Sequence, residues 1–433
     1  MNAELMKRTP FDFPPCLPLD NAAKIYPAAR SKRSSSMFRL SMELKEDIDA
    51  EVLAAALERT LARIPSMSQH LRRGFFWYYL NHRTDSPPVL PEINNPCVYL
   101  NEAASRGFQF RVSSYRRRIA IDFFHVLTDG TGGMTVLKTL VAEYITLKYG
   151  VKIPPADGVL DCAQPPQQAE YEDSFFRHAG TKRLSRLETP AYRIRGTRED
   201  CGVIHITTGT MPLDAVHAKA KEYGATINEL LTAVLFQVIY GMQQAETHPA
   251  RKKRPVKISI PINLRRHFES RTLRNFTTYV NLGIDSLSQD CTLEEVIAGI
   301  RSGMQREAGA KKLQARFTTN VASEKSFLLK LAPLFLKNLV LRMVFLTIGD
   351  RYNSATLSNL GLVKLPDEMA AYVDRVSFML GAGLNPVSCA CVSFDNKLCF
   401  SITRTIEESL VERAFFTALV KLGIPVTVES NQV

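Results

Sequence analysis

Short runs of alternating apolar and polar residues give way, along the chain, to stretches whose apolar positions recur three and four residues apart. The first pattern predicts β-strands over Met37–Leu44 and 75–80, and the apolar run Arg118–Phe124 predicts another. The second pattern predicts amphipathic helices over 47–64 and 134–149. A chain that alternates strands with helices in this way favours an α/β fold, in which helices cover open sheets.

The alternation returns after an irregular interval. Residues 151–200 are rich in proline and glutamine and carry no regular apolar period. Beyond them the pattern predicts strands over 205–211 and 256–263, helices over 226–239 and 292–306, and a hairpin closing at Asp395-Asn396. We therefore expect an N-terminal lobe over residues 1–150, a crossover over 151–200 and a C-terminal lobe over 201–433, with a cleft between the two lobes.

The sharpest local feature is the sequence His125-Val-Leu-Thr-Asp129-Gly130. An apolar strand delivers a histidine to its end, and a short loop then presents a carboxylate and a glycine before a helix begins. A histidine at the edge of a core can stay neutral near pH 7, as a general base requires. Glycine allows a ligand to approach the backbone closely. On the pattern alone, a strand end followed by a turn and a helix start is an equally good interpretation.

Composition excludes some classes of protein, and the net charge indicates the kind of partner. The chain has 433 residues, 45% hydrophobic and 23% charged, which excludes collagen-like and disordered classes. Its net charge of +12 attracts anionic partners, and basic clusters at 115–118, 251–254 and Arg265-Arg266 could meet phosphates or an acidic carrier protein. No nucleic-acid motif accompanies these clusters, so nucleic acid is not expected as a partner. The eight cysteines show no metal-binding spacing, and no metal is expected.

Residues 1–10 lack the apolar core of a secretory signal, and no uncharged apolar run of about 18 residues follows. We therefore expect a cytoplasmic protein, with peripheral contact at the inner face of the membrane as an alternative. The apolar segment 327–346 carries Lys330, Lys337 and Arg342. Two interpretations stay open: a helix packed between the lobes with snorkelling cations, or an interfacial helix that touches membrane or serves a lipophilic acceptor.

The H-x-x-x-D-G stretch resembles the motif of the chloramphenicol acetyltransferase-like superfamily, which includes condensation domains of nonribosomal peptide synthetases. Three further segments are similar to it: Pro261-Ile-Asn263-Leu-Arg265, Leu273-Arg-Asn275-Phe276 and Ser358-Asn359-Leu-Gly361. Bacterial alcohol acetyltransferase-like proteins are the closest group. The first of the two histidines usual in condensation domains is Phe124 here, and the D-F-G-W-G motif of the plant enzymes is absent. The resemblance implies an α+β two-layer sandwich, with two lobes forming a pseudo-dimer around an interlobe tunnel.

The resemblance also implies a reaction, in which an acyl group passes from a thioester to a hydroxyl or amine of a small or lipid-like acceptor. His125 would act as general base, with Asp129 and Gly130 completing the motif. Arg265 would form a buried bidentate pair with Asp129. Asn263, Asn275, Ser358 and Asn359 are supporting candidates. Acyl-CoA is expected as co-substrate, with no tightly bound cofactor. The alternatives are a free-standing condensation-type enzyme that uses a carrier-protein thioester, and a non-catalytic module that binds acyl-CoA or a carrier protein.

Overall fold

The structure is a computed structural model that describes residues 13–31, 33–100, 103–185, 188–284 and 291–432, with only the backbone described at 327, 328 and 346–350. Residues 1–10, on which the expectation about a signal segment rests, lie outside this range. The strands are β1 (Cys16–Pro18), β2 (Met37–Leu44), β3 (Gln69–Arg73), β4 (Tyr78–His82), β5 (Val89–Pro91), β6 (Phe110–Tyr115), β7 (Arg118–Phe124), β8 (His205–Pro212), β9 (Lys257–Asn263), β10 (Thr277–Gly283), β11 (Ala355–Leu362), β12 (Val373–Leu380), β13 (Val387–Phe394), β14 (Lys397–Arg404) and β15 (Thr427–Ser430). The helices are α1 (Tyr26–Ala29), α2 (Ala50–Arg63), α3 (Gly130–Tyr149), α4 (Ser174–His178), α5 (Leu213–Glu222), α6 (Ile227–Gln244), α7 (Pro249–Lys252), α8 (Leu293–Glu307), α9 (Ala310–Lys325), α10 (Phe327–Leu331), α11 (Leu334–Ile348), α12 (Asp367–Ala370) and α13 (Leu410–Lys421).

The first lobe is built on a sheet with strand order β12-β2-β7-β6-β5. Helices α2 and α3 pack against one another, and α3 packs on β2 and β7. The two helices begin at aspartate caps, Asp49 and Asp129, whose side chains accept backbone N–H groups of the first turn. Gly150 ends α3 in the left-handed conformation. Helix α3 therefore begins after a short loop, residues 125–129, that follows the carboxyl end of β7.

The second lobe is built on a larger sheet with strand order β10-β9-β11-β13-β14-β8-β15. Helices α6, α8 and α13 contact one another or this sheet, and their apolar faces share one core with it. Helix α6 starts at a capping box, in which Thr226 and Glu229 satisfy each other's backbone N–H groups. The two-lobed α/β architecture expected from the sequence is therefore confirmed.

One strand departs from a strictly sequential division of the lobes. Strand β12 lies late in the chain but pairs antiparallel with β2, from Phe38 to Leu44, at the edge of the first sheet. Its buried residues Val376 and Phe378 join the first core, so this strand buries its apolar side chains with the first lobe although it lies late in the sequence. The boundaries at 150 and 200 themselves stay a prediction.

The aromatic strand predicted over 75–80 starts later than expected. Gly74 N donates to Trp77 O at 3.0 Å, which closes a turn and places Phe75 and Phe76 at the tip of the β3–β4 hairpin. The strand therefore begins at Tyr78. Among the described residues no single helix is long and apolar enough to cross a membrane; α5 and α6, bent by 79° at their junction, meet the length and composition limits only as a pair.

Candidate active site

His125 follows the last residue of β7, and contacts to its backbone and to its ring hold it in place. Its backbone N–H donates to Ser36 O at 3.0 Å, which continues the pairing of β7 with β2. The imidazole stacks on Tyr26 with ring centres 5.0 Å apart and contacts the Phe38 ring at 4.7 Å. The ring is therefore fixed in position by two aromatic neighbours.

Asn275 fixes which nitrogen of His125 carries the proton. Its Nδ2 donates to His125 O at 2.9 Å and to Asp20 Oδ2 at 3.0 Å, and a backbone carbonyl can only accept. This orients Oδ1 of Asn275 toward His125 Nδ1, 3.3 Å away. Because an amide oxygen can only accept, Nδ1 must donate. The neutral imidazole therefore keeps the lone pair of Nε2 available for a substrate proton.

The surroundings also favour the neutral form of His125. Burial lowers the pKa of His125 from its ordinary value, and the hydrogen bond to Asn275 and the charge of Asp129 oppose this only in part. A histidine that is neutral at pH 7 and held in one tautomer has the properties of a general base.

Asp20 is a component of the site that the sequence pattern did not reveal. Its fully buried carboxylate accepts Ala23 N at 2.7 Å and the side chain of Asn275. Burial raises the pKa of Asp20 to about 6, and the nearby Arg274 guanidinium opposes the rise. An aspartate that accepts a backbone N–H three residues later is an ordinary turn signal. Nothing in the sequence indicated that this carboxylate also orients Asn275, and through it His125.

Asp129 binds the second lobe. Its Oδ2 accepts Arg265 Nη1, Phe276 N and Thr277 Oγ1, each at 2.8 Å, while Oδ1 accepts Gly132 N at 3.0 Å. Burial alone would raise the pKa of Asp129, but Arg265 and the other donors outweigh it and hold the pKa below its ordinary value. This carboxylate therefore joins the start of α3 to β10 and the loop before it.

The Arg265 guanidinium is shared among several acceptors. Only Nη1 reaches Asp129, so the contact differs from the bidentate pair expected from the sequence. Nε donates to Thr272 O at 3.0 Å, Nη2 donates to Arg274 O at 2.5 Å, and Nη1 also lies 3.3 Å from Asn263 Oδ1. The remaining donors are thus used to hold the loop that carries Asn275.

Asn263 makes a second connection between the lobes. Its Nδ2 donates to Thr131 Oγ1 at 3.1 Å, and its Oδ1 accepts Arg265 N at 3.0 Å. Gly132 allows the loop that contains Leu273 to lie close to the start of α3, since a Cβ at this glycine would lie 2.1 Å from Leu273 O. The structure thus brings together His125, Asp129, Arg265, Asn263 and Asn275.

Ser358 and Asn359 lie in β11, further from the imidazole. Asn359 Nδ2 donates to Asn228 Oδ1 at 3.2 Å, and its Oδ1 accepts Gly361 N at 2.7 Å. Among the described contacts, no hydrogen bond joins either residue to His125 or Asp129. This stretch contacts the motif through Leu360. A Cβ added to Gly130 would lie only 2.9 Å from Leu360 Cδ2. Gly130 is therefore the position where β11 meets the start of α3.

A cavity of about 750 Å³ is lined by segments from both halves of the chain. Its described lining includes six arginines and two acidic residues: Arg33, Arg193, Arg195, Arg198, Arg251, Arg254, Glu199 and Asp200. Tyr99 and Ser35 also line it, and the residue after Ser35 supplies the carbonyl that binds His125 N. The cavity therefore has a basic rim and reaches the segment before β2; its described lining does not include His125, Asp129, Arg265 or Asn275.

No protein-family model matches the chain. Two uncharacterized proteins of Mycobacterium tuberculosis, from strains CDC 1551 and H37Rv, are each 25% identical over 260 residues. The match covers 58% of this chain and 57% of each of those proteins, so it spans little more than half of their length.

Solved structures match almost the whole chain. Polyketide synthase associated protein 5 from Mycobacterium tuberculosis has a TM-score of 0.64 at 12% identity, covering 95% of this chain and 98% of that one. The trichothecene 15-O-acetyltransferase TRI3 from Fusarium sporotrichioides has a TM-score of 0.60 at 11% identity, covering 93% of both chains. A starter condensation domain of rhizomide synthetase, solved with C8-CoA and Leu-SNAC, has a TM-score of 0.58 at 13% identity, covering 98% of this chain and 96% of that one. The chain therefore has the fold of the chloramphenicol acetyltransferase-like and condensation-domain superfamily.

Proposed function

We propose that the protein is an acyltransferase that moves an acyl group from a thioester to a hydroxyl or amine, with His125 as the general base. The observation that carries the proposal is the imidazole of His125 at the end of β7, whose Nδ1 is hydrogen-bonded to Asn275 Oδ1, so that the neutral ring carries its lone pair on Nε2. Structures of the same fold include an O-acetyltransferase and a condensation domain, which supports this general class of reaction.

The residues suit a direct transfer without a covalent enzyme intermediate. Nε2 of His125 takes the proton of the acceptor as its oxygen or nitrogen attacks the thioester carbonyl. The tetrahedral intermediate then collapses, the carbon–sulfur bond breaks, and the thiolate takes the proton back from Nε2. Asp129 and Arg265 act as positioning residues, because they hold the loop that carries Asn275.

Acyl-CoA is the donor that the arginine-lined cavity suits best. CoA carries a diphosphate and a 3′-phosphate, and guanidinium groups bind phosphate strongly. Arg251 pairs with Glu246 and Arg193 donates to Leu384 O, whereas Arg33, Arg195, Arg198 and Arg254 are exposed at the cavity. We propose that two of the exposed arginines, Arg195 and Arg198, bind the phosphates of the nucleotide. A carrier-protein donor, which brings one phosphate on its arm, is the alternative.

The double variant Arg195→Ala/Arg198→Ala is expected to bind CoA about tenfold more weakly, which corresponds to roughly 0.7 kcal/mol for each exposed guanidinium. Isothermal titration with CoA and with adenosine 3′,5′-bisphosphate measures the loss without requiring turnover. Lys252→Ala/Lys253→Ala is the matched control, since these exposed lysines stand between the cavity residues Arg251 and Arg254 in the sequence but do not line the cavity. Equal affinities of the two double variants would exclude the cavity as the phosphate site.

The pH profile is expected to reflect the lowered pKa of His125. The base works only when neutral, and burial makes protonation require a lower pH than for free histidine. Activity should therefore persist below pH 6.5 and fall only as the pH drops further. A profile of kcat/KM between pH 5 and 8 on an accepted substrate tests this. An acid limb with a midpoint above pH 6.5 would contradict the burial argument.

The acceptor is proposed to be a small or lipophilic alcohol or amine, as in the alcohol acetyltransferase-like group that the sequence resembles. We further propose that the protein works in the cytoplasm, where acyl-CoA is supplied. A panel of alcohols and amines of increasing chain length, offered with acetyl-CoA, would identify the acceptor class. Release of CoA that does not depend on any acceptor would argue against transfer.

A further inference from the structure

A group of large apolar side chains on one side of the molecule is exposed. We name it the apolar platform; its members are Phe75, Phe76, Leu331, Phe335, Leu336, Leu339, Val340, Met343 and Val344. Phe75 is 72% exposed, Phe335 60% and Leu339 56%. On α11 the exposed positions recur at intervals of three and four residues, so they form one face of the helix. A continuous exposed apolar surface of this kind marks an interaction site.

The two segments of the platform are fixed to one another. Leu334 N donates to Phe75 O at 2.9 Å, and the buried Lys337 donates from Nζ to Phe76 O at 3.0 Å. The same ammonium lies 3.8 Å from the centre of the Trp77 ring. Asn338 adds a bond from Nδ2 to the Tyr78 hydroxyl at 3.0 Å. The hairpin tip and α11 therefore present a single surface. Lys337 is buried beneath this surface and joins the two segments.

The charged residues within the two segments of the platform are of one sign. Arg72 and Arg73 beside the hairpin tip, Lys330 before α11 and Arg342 on α11 are exposed. Neither 71–78 nor 327–348 contains Asp or Glu. A two-fold contact between two copies of the chain would bring these cations close together and is disfavoured by their repulsion. An anionic surface with an apolar interior satisfies both the cations and the exposed rings.

We propose that the apolar platform docks on the surface of an anionic lipid bilayer. The apolar residues would enter the boundary between headgroups and acyl chains, and the cations would meet the headgroup phosphates. Helix α11 packs on α1, whose Tyr26 stacks on the His125 ring. Docking therefore turns the side of the molecule nearest this imidazole toward the lipid. Binding itself does not depend on the proposed acyl transfer.

Vesicle co-sedimentation tests the docking. The probes are phosphatidylcholine vesicles with and without about 30% phosphatidylglycerol, at low and high salt. The wild-type protein is expected to bind the anionic vesicles, less strongly as salt rises. Phe335→Gln/Leu339→Gln should weaken this binding about tenfold or more, because two exposed apolar side chains are lost from the platform. Leu410→Gln/Val420→Gln is the matched control, since these α13 residues are 54% and 55% exposed away from the platform.

A second variant separates the electrostatic contribution to vesicle binding from the contribution of the apolar side chains. Arg72→Gln/Arg73→Gln should weaken binding to anionic vesicles several-fold. Equal binding of the Phe335/Leu339 variant and the Leu410/Val420 control would overturn the proposal. So would a wild-type protein that binds neither vesicle, or that forms a dimer by light scattering which Phe335→Gln/Leu339→Gln dissociates. Loss of vesicle binding with acyl transfer intact supports the platform, whereas binding without any transfer contradicts only the proposed function.

Discussion

Replacing His125 by alanine is expected to reduce acyl transfer by about 10²- to 10⁴-fold, the usual contribution of a general base. The acceptor would then have to lose its proton to water during the attack on the thioester. The ring is held by Tyr26 and Asn275 and forms no ion pair with any residue that the structure describes, so its removal should leave the protein folded. Steady-state rates on an accepted alcohol or amine, with circular dichroism of the purified variant, measure both effects.

His217→Ala is the matched control for this variant. His217 is exposed on α5, in the second lobe and away from the motif, so its removal should change the rate by less than about twofold. A folded His125→Ala protein that turns over at the wild-type rate would show that His125 is not the base, whatever the reaction is.

Replacing Asp129 by alanine should lower the free energy of unfolding by roughly 3–5 kcal/mol, as expected when a buried charge pair loses one partner. The change leaves Arg265 Nη1, Phe276 N and Thr277 Oγ1 without the acceptor they share. The loop that carries Asn275 would lose its anchor, so activity should fall as well. Urea unfolding at pH 7 measures the stability loss.

Asp49→Ala provides the comparison. Asp49 also caps a helix, accepting Glu51 N and Val52 N, but it is exposed and pairs with no cation. Its loss should cost only about 1 kcal/mol. Because the folded-state pKa of Asp129 is depressed, its contribution is present above the unfolded value and is lost as the pH falls through the folded value. Similar unfolding midpoints for the two variants would contradict the buried interlobe role of Asp129.

The parts of the fold that depend on local signals could be predicted from the sequence. The apolar run before His125 became β7, and the helical periods over 134–149 and 226–239 correspond to α3 and α6, although α3 begins at Gly130, four residues earlier than predicted. The periods of two and of three to four residues are properties of neighbouring residues, so they are visible in one sequence. The pairing of β12 with β2 was not visible, because it joins residues more than 300 positions apart.

The site shows the same division. His125 and Asp129 stand within five residues of each other, and the pattern indicated both. Asp20 is separated from Asn275 by 255 positions, and only the fold brings the two side chains together. The orientation of Asn275, which determines the tautomer of His125, depends on that long-range contact. The arginine-lined cavity likewise gathers residues from segments that no sequence window contains.

The most direct test of the central claim is acceptor-dependent release of CoA from acetyl-CoA. The wild-type protein, given a panel of alcohols and amines, should release thiol only when an accepted substrate is present, and mass spectrometry should find the acetylated acceptor in equal amount. His125→Ala should reduce both signals together by about 10²-fold or more. Thiol release that needs no acceptor, or acetylated product formed equally well by His125→Ala, would contradict an acyltransferase that uses His125 as its base.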